Sequence, residues 1–152
     1  MPAMTLPRRR SAAWSGYFRA QYRLIRLLDP LVRVTWRAWG LGNVVELRVP
    51  GRHTGRPRPI LLGLLRAEGR WFLGHPNGDT AWTRNLEASP DAELVLRWPS
   101  PVAVHAERLA DGPIRESAVM ATGQHVFPGN LIYRLARPHV RAAGAYFEIT
   151  LR

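Results

Sequence analysis

A chain of 152 residues is long enough to bury the core of one ordinary domain, and no second domain is needed. It contains no cysteine, which excludes disulfides, thiolate catalysis and thiolate metal sites and fits a reducing cytosol. The formal charge is +11, and all 22 basic residues are arginine. Coding bias in a GC-rich genome accounts for arginine in place of lysine but not for the excess charge, which draws the chain toward polyanions such as nucleic acid, anionic lipid or a polyanionic ligand.

Residues 1–13 read as a basic disordered tail, and residues 14–152 as a single domain opened by a helical segment at 14–42. Arg8-Arg9-Arg10 is not followed by the apolar run of a signal peptide, and arginine interrupts every candidate membrane span. The expected location is cytoplasmic, with the inner face of the cell membrane as a peripheral possibility. From Trp14 to Trp39, arginines at 19, 23, 26, 33 and 37 recur on one helical face, with Phe18, Leu24, Ile25, Leu28, Leu31, Val32 and Trp36 opposite. Asp29-Pro30 suits an N-cap followed by the first residue of a helix, so the pattern predicts two helices or one sharply kinked helix. A basic amphipathic helix carrying Trp14, Tyr17, Tyr22, Trp36 and Trp39 suits an anionic membrane surface. It equally suits a helix packed on the domain with its arginines solvated.

Beyond Gly40-Leu41-Gly42 the pattern turns to short strands at about 43–49, 57–66, 70–75, 93–98 and 101–109, with a closing strand from Ala145 to Leu151. Ala67-Glu68-Gly69 and Trp98-Pro99-Ser100-Pro101 supply hairpin turns. A helix at 80–88, capped by Asp79 or Thr80, ends before Pro90. Further helices are expected at about 113–122 and 131–142, separated by Phe127-Pro128-Gly129-Asn130. Six strands with intervening helices suit a small barrel of α+β, mainly β, class.

The histidines at 53, 75, 105, 125 and 139 show no metal-ligand spacing. No Gly-x-Ser-x-Gly occurs, and the few carboxylates form no obvious pair. Side chains that announce neither nucleophilic nor acid–base chemistry fit an enzyme whose cofactor performs the reaction. The one concentration of ligand-binding chemistry is Gly51-Arg52-His53-Thr54-Gly55-Arg56-Pro57-Arg58. Glycines turn backbone N–H groups toward a ligand, Thr54 adds a hydroxyl, and arginine grips phosphate oxygens with a planar fork. The same eight residues also describe a tight, solvated basic turn.

This loop, followed by Arg70-Trp71-Phe72-Leu73-Gly74-His75, the turn Pro76-Asn77-Gly78 and the helix Trp82-Thr83-Arg84-Asn85-Leu86-Glu87-Ala88-Ser89-Pro90, resembles the deazaflavin-dependent nitroreductase family over about residues 43–110. The resemblance implies a six-stranded split β-barrel of the FMN-binding type that holds coenzyme F420, with FMN as the alternative. It implies hydride transfer to an apolar acceptor such as a quinone or a nitroaromatic. Arg52, His53, Thr54, Arg56 and Arg58 would match the family's phosphate loop, and Pro59, Ile60 and Leu61 the strand lining the deazaflavin ring. His75, Pro76, Asn77 and Gly78 would match a turn on the other side of the ring, and Trp82 and Asn85 the adjoining helix. Many members carry two glycines and a basic insert where this chain has Asn77-Gly78-Asp79-Thr80. Tyr133, with Phe127 and His125, is a candidate for the substrate wall and Tyr133 for the proton donor. Haem binding or non-catalytic carriage of a small ligand are the alternatives within the fold. A nucleic-acid-binding barrel is not expected, because the tryptophans sit in patterns suited to burial. The chain is expected to be a monomer or a homodimer.

Overall fold

The computed structural model describes residues 8–78 and 80–152. A long helix, α1 (Arg8–Trp39), precedes strands β1 (Val44–Pro50), β2 (Pro57–Gly63), β3 (Leu65–Ala67) and β4 (Arg70–His75). Helix α2 (Ala81–Ala88) leads to β5 (Asp91–Arg97) and β6 (Ser100–Arg108), then α3 (Pro113–Met120), α4 (Gly129–Leu135) and α5 (Arg137–Ala143), and β7 (Ala145–Leu151) closes the chain. Residues 1–7 of the expected tail lie outside the described residues, and Arg8 already belongs to α1.

The strands form one antiparallel sheet in the order β2-β1-β5-β6-β7-β4-β3. Its two edge strands, β2 and β3, are consecutive in the chain and separated by Leu64 alone, so the sheet has to curl until its edges meet at that residue. Seven strands therefore stand where six were expected, because the run at 57–66 breaks in two. The break is pinned from 21 residues away: Leu64 N donates to Asn43 O at 2.8 Å, and Asn43 Nδ2 donates to Leu64 O at 3.0 Å. Gly63 is required beside it, since a Cβ there would enter the His125 ring.

Alternation along the strands divides the core in two. Inside the curl, Val45, Leu47, Val49, Leu73, Leu94, Val104, Phe147 and Ile149 meet Trp82 and Leu86 of α2, which plugs the barrel end. Outside it, Phe72 and Tyr146 point the other way and pack with Phe18, Val119 and Val140 under α1, α3 and α5.

Helix α1 is continuous, not divided at Asp29-Pro30. Asp29 does not cap a second helix; it binds Arg33 one turn on, with Nε to Oδ2 at 3.2 Å. Arg33 in turn bonds Glu46, a carboxylate buried on β1 that also accepts from Arg48 Nε at 2.8 Å. Anchors on both sides of the proline, Phe18 before it and Trp36 after it with Nε1 donating to Val44 O at 2.8 Å, hold both halves on the barrel. Tertiary packing here overrides the local stop signal.

Candidate functional site

The turn from Gly51 to Arg56 joins β1 to β2 and closes on itself. Gly51 N donates to Arg56 O at 2.9 Å and Gly55 N to Gly51 O at 2.7 Å, with Gly55 at φ +66° supplying the left-handed residue the turn needs. Thr54 Oγ1 accepts from Arg56 N at 3.3 Å. Helix α2 fixes the near end of this loop: Asn85 Oδ1 accepts both Arg52 N at 3.2 Å and Arg52 Nη1 at 3.0 Å. Arg52 Nη1 also donates to Ala81 O at 3.4 Å, whereas its Nε and Nη2, and the whole guanidinium of Arg58, have no protein partner among the described residues.

Beneath the loop lies a cavity of about 650 Å³ bounded by α1, β2 and α2. Arg52, His53, Thr54 and Arg58 line its polar end, and Pro59, Ile60, Leu61 and the Trp82 ring its apolar floor, with Asn85 between them. The third wall is α1, which contributes Tyr22, Ile25, Arg26, Pro30 and Val32 together with the ion-paired Asp29 and Arg33. Burial pushes the Tyr22 hydroxyl up to about 12, with nearby Asp29 adding to the rise and Arg26 opposing it. Tyr22 is therefore a protonated donor at neutral pH.

Nine of the fourteen residues expected at the coenzyme site thus meet at one cavity, and the other five, like the substrate-wall candidates Tyr133, Phe127 and His125, do not line it. Arg56 faces away on the exposed outer side of the turn. His75, Pro76, Asn77 and Gly78 form a buried latch behind the Tyr22 wall. The His75 ring meets Tyr22 edge-on at 5.3 Å, and its Nδ1 accepts from Asn77 N at 3.1 Å. The Asn77 side chain donates to Ser15 O of α1 at 3.0 Å and accepts from His139 Nε2 of α5 at 3.0 Å. Burial holds the His75 imidazole down to about 4, so it stays neutral and keeps Nδ1 as an acceptor. Tyr133 packs between Phe18 and a stacked His125, 4.4 Å centroid to centroid, away from the cavity lining. Burial drives its hydroxyl well above the usual tyrosine range.

The α1 wall is the part of the site that sequence reasoning missed. Tyr22, Ile25, Asp29 and Val32 recur at helical spacing, a signal that a face exists but not of what it faces.

The cavity suits a flat, partly apolar molecule that carries an anion at one end. Its lining joins the guanidiniums of Arg52 and Arg58 on the loop side and of Arg26 and Arg33 on α1 to the proline and aliphatic surface of Pro59, Ile60 and Leu61. The Trp82 indole Nε1 is a buried donor with no acceptor among the described residues. Among the described residues, no cluster of three His, Asp or Glu side chains is placed to hold a metal ion.

No family model and no curated protein matches the chain. Among solved structures it is similar to an F420-H2 dependent reductase, with a TM-score of 0.53 and 16% identity over 71% of this chain and 94% of that one. It is similar also to the haem storage protein HutZ of Vibrio cholerae, with a TM-score of 0.54 and 14% identity over 82% of this chain and 90% of that one. A conserved hypothetical protein of Mycobacterium tuberculosis gives a TM-score of 0.55 at 13% identity over 72% of this chain and 73% of that one. At these identities the likeness is one of fold, a split barrel.

Proposed function

We propose that this chain is an oxidoreductase that binds reduced F420, a phosphorylated deazaflavin, in the cavity under α1 and serves hydride transfer to an apolar acceptor, a quinone or a nitroaromatic. The observation that carries this reading is the arrangement of Arg52, Thr54 and Arg58 at one end of a cavity floored by Pro59, Ile60, Leu61 and Trp82. Arg58 and the free edge of Arg52 are the groups to grip a phosphate, at roughly 1.5–3 kcal/mol for each charge-assisted hydrogen bond. The aliphatic strand and the indole hold a planar ring by contact area and keep water from its face. When bound, the coenzyme supplies the hydride.

The protein's own contribution is orientation and a hydrogen bond. Tyr22, on the α1 wall, is the group in the lining suited to donating to an acceptor oxygen as it gains charge. Its raised pKa keeps the proton on Oη, so Tyr22 holds the acceptor oxygen by a hydrogen bond as charge develops there, and the net proton comes from solvent.

Fluorescence titration and ultrafiltration of the purified protein with F420 test the reading. Saturable binding at or below about ten micromolar is expected, and no binding at several times that level overturns it. FMN presents a similar planar ring and phosphate, and it is the second reading: a purified protein that carries the yellow colour and spectrum of a bound flavin would favour it over the deazaflavin.

A further inference from the structure

Helix α1 has three faces, and only one is turned to the barrel and its cavity. At 3.6 residues per turn, Phe18, Tyr22, Ile25, Asp29, Val32 and Trp36 share the face turned to the barrel and its cavity. Arg19 and Arg23 share a second, exposed flank with Arg26, which also borders the cavity, and with Arg37, whose guanidinium lies 4.0 Å over the Trp98 ring. Leu24, Leu27, Leu28, Leu31 and Val34 form the third, a stripe about three turns long that no other element among the described residues covers. Leu27 is 79% exposed, Leu31 68%, and Trp39 at the end of the helix 84%. Scattered single apolar residues on a surface need no explanation, but a continuous stripe of large ones does.

We infer that this stripe seats α1 in the plane of an anionic lipid surface, with the leucines in the acyl boundary and the arginine flank against the phosphates. Charge decides between lipid and the other candidate occupant, a second copy of the chain. The sole carboxylate on α1 is Asp29, already taken by Arg33, and the whole chain carries a formal charge of +11. Two helices joined stripe to stripe would offer neither arginine flank an acidic partner from α1, whether the two-fold axis runs across the helices or along them, because Asp29 is already paired. An anionic bilayer supplies both the apolar layer and the countercharge that the two faces require. No helix among the described residues is long and apolar enough to cross a membrane, so the contact is interfacial. The opposite side of the same helix walls the cavity, which places the cavity just behind the lipid contact whatever molecule it holds.

Cosedimentation of the full chain with phosphatidylglycerol/phosphatidylcholine vesicles tests this independently of any coenzyme. Binding is expected to anionic vesicles, to weaken at least about tenfold on pure phosphatidylcholine, and to fall as salt rises from about 50 to about 500 mM. Leu27→Glu/Leu31→Glu, both exposed and outside the cavity lining, is expected to lower partitioning about tenfold or more while circular dichroism and melting stay unchanged. Arg23→Glu is expected to weaken binding more than Arg152→Glu, which makes the same charge change at the end of β7. Equal binding to neutral vesicles, or binding unaffected by the double substitution, overturns the inference. So does a chain that ignores vesicles and sediments as a dimer that L27E/L31E dissociates.

Discussion

Asn85 Oδ1 bridges the backbone N–H and the guanidinium of Arg52, at 3.2 and 3.0 Å, so a single amide on α2 sets both the path of the β1–β2 loop and the aim of its first arginine. Asn85 is itself buried between the barrel plug and the cavity. Substituting Asn85→Ala removes the acceptor and leaves Arg52 N unpaired at the edge of the site. The expected result is a loss of about 1–3 kcal/mol in ligand affinity, about tenfold to a hundredfold, larger than any loss of stability. Isothermal titration beside urea unfolding checks it; equal losses in both would reduce Asn85 to a packing residue.

Arg58 and Arg56 lie two residues apart, exposed, with guanidinium groups that have no protein partner among the described residues, yet only Arg58 lines the cavity. If the site grips an anion, Arg58→Ala lowers affinity about tenfold or more, whereas Arg56→Ala changes it by less than about threefold. Both remove one positive charge, so the contrast separates a directed contact from the general field of a basic protein. Matched losses in the two variants would mean that the loop attracts anions only through net charge.

The loop and α2 were legible in the sequence because their signals are local. Glycines fix the turn, Pro90 ends the helix region, and Trp82 and Asn85 fall three residues apart and so on one helical face. The placement of α1 was not legible. Its apolar and arginine faces could be read from spacing, but which face meets the barrel depends on Phe18, Trp36 and the buried Glu46, contacts that no window of sequence contains. Leu64 gives a second case: the apolar run from Ile60 to Leu65 continues without a break, and the strand is divided by Asn43 from a distance. The turn at His75 looked like a ring contact, and its Asn77 partners, Ser15 and His139, each lie 62 residues away.

Tyr22 is the one tyrosine in the cavity lining. Tyr22→Phe keeps the ring that meets His75 and removes only the hydroxyl. With a two-electron acceptor, kcat is expected to fall about tenfold to a hundredfold with ligand affinity nearly unchanged, the signature of a group used only in the transition state. Tyr133→Phe serves as the comparison, since that hydroxyl sits behind Phe18 outside the lining. Single-turnover kinetics distinguish the two, and a rate loss confined to Tyr133→Phe would move the hydrogen-bond donor away from α1.

The histidines make the fold sensitive to mild acid. Burial holds His75 and His125 down to about 4, and His139 is lowered by the same cause. In the unfolded chain these imidazoles take up protons near 6.5. Between the two values the unfolded state binds more protons, so stability is present in full above about pH 6.5, declines as the pH falls, and reaches its lowest contribution below about 4. For His75, almost wholly buried, the difference amounts to about 3 kcal/mol. The loss has a location as well as a size. A proton on His75 Nδ1 ends the bond from Asn77 N, and Asn77 is what ties Ser15 of α1 to His139 of α5. The first half of α1 should therefore loosen before the barrel does, seen as faster amide exchange over residues 14–22 at pH 5 than at pH 7 after correction for intrinsic rates. His75→Gln keeps an acceptor for Asn77 but cannot be protonated, and it is expected to flatten the fall in urea midpoint between pH 7 and pH 4.5. A midpoint that falls just as steeply in that variant would assign the acid sensitivity to His125 and His139.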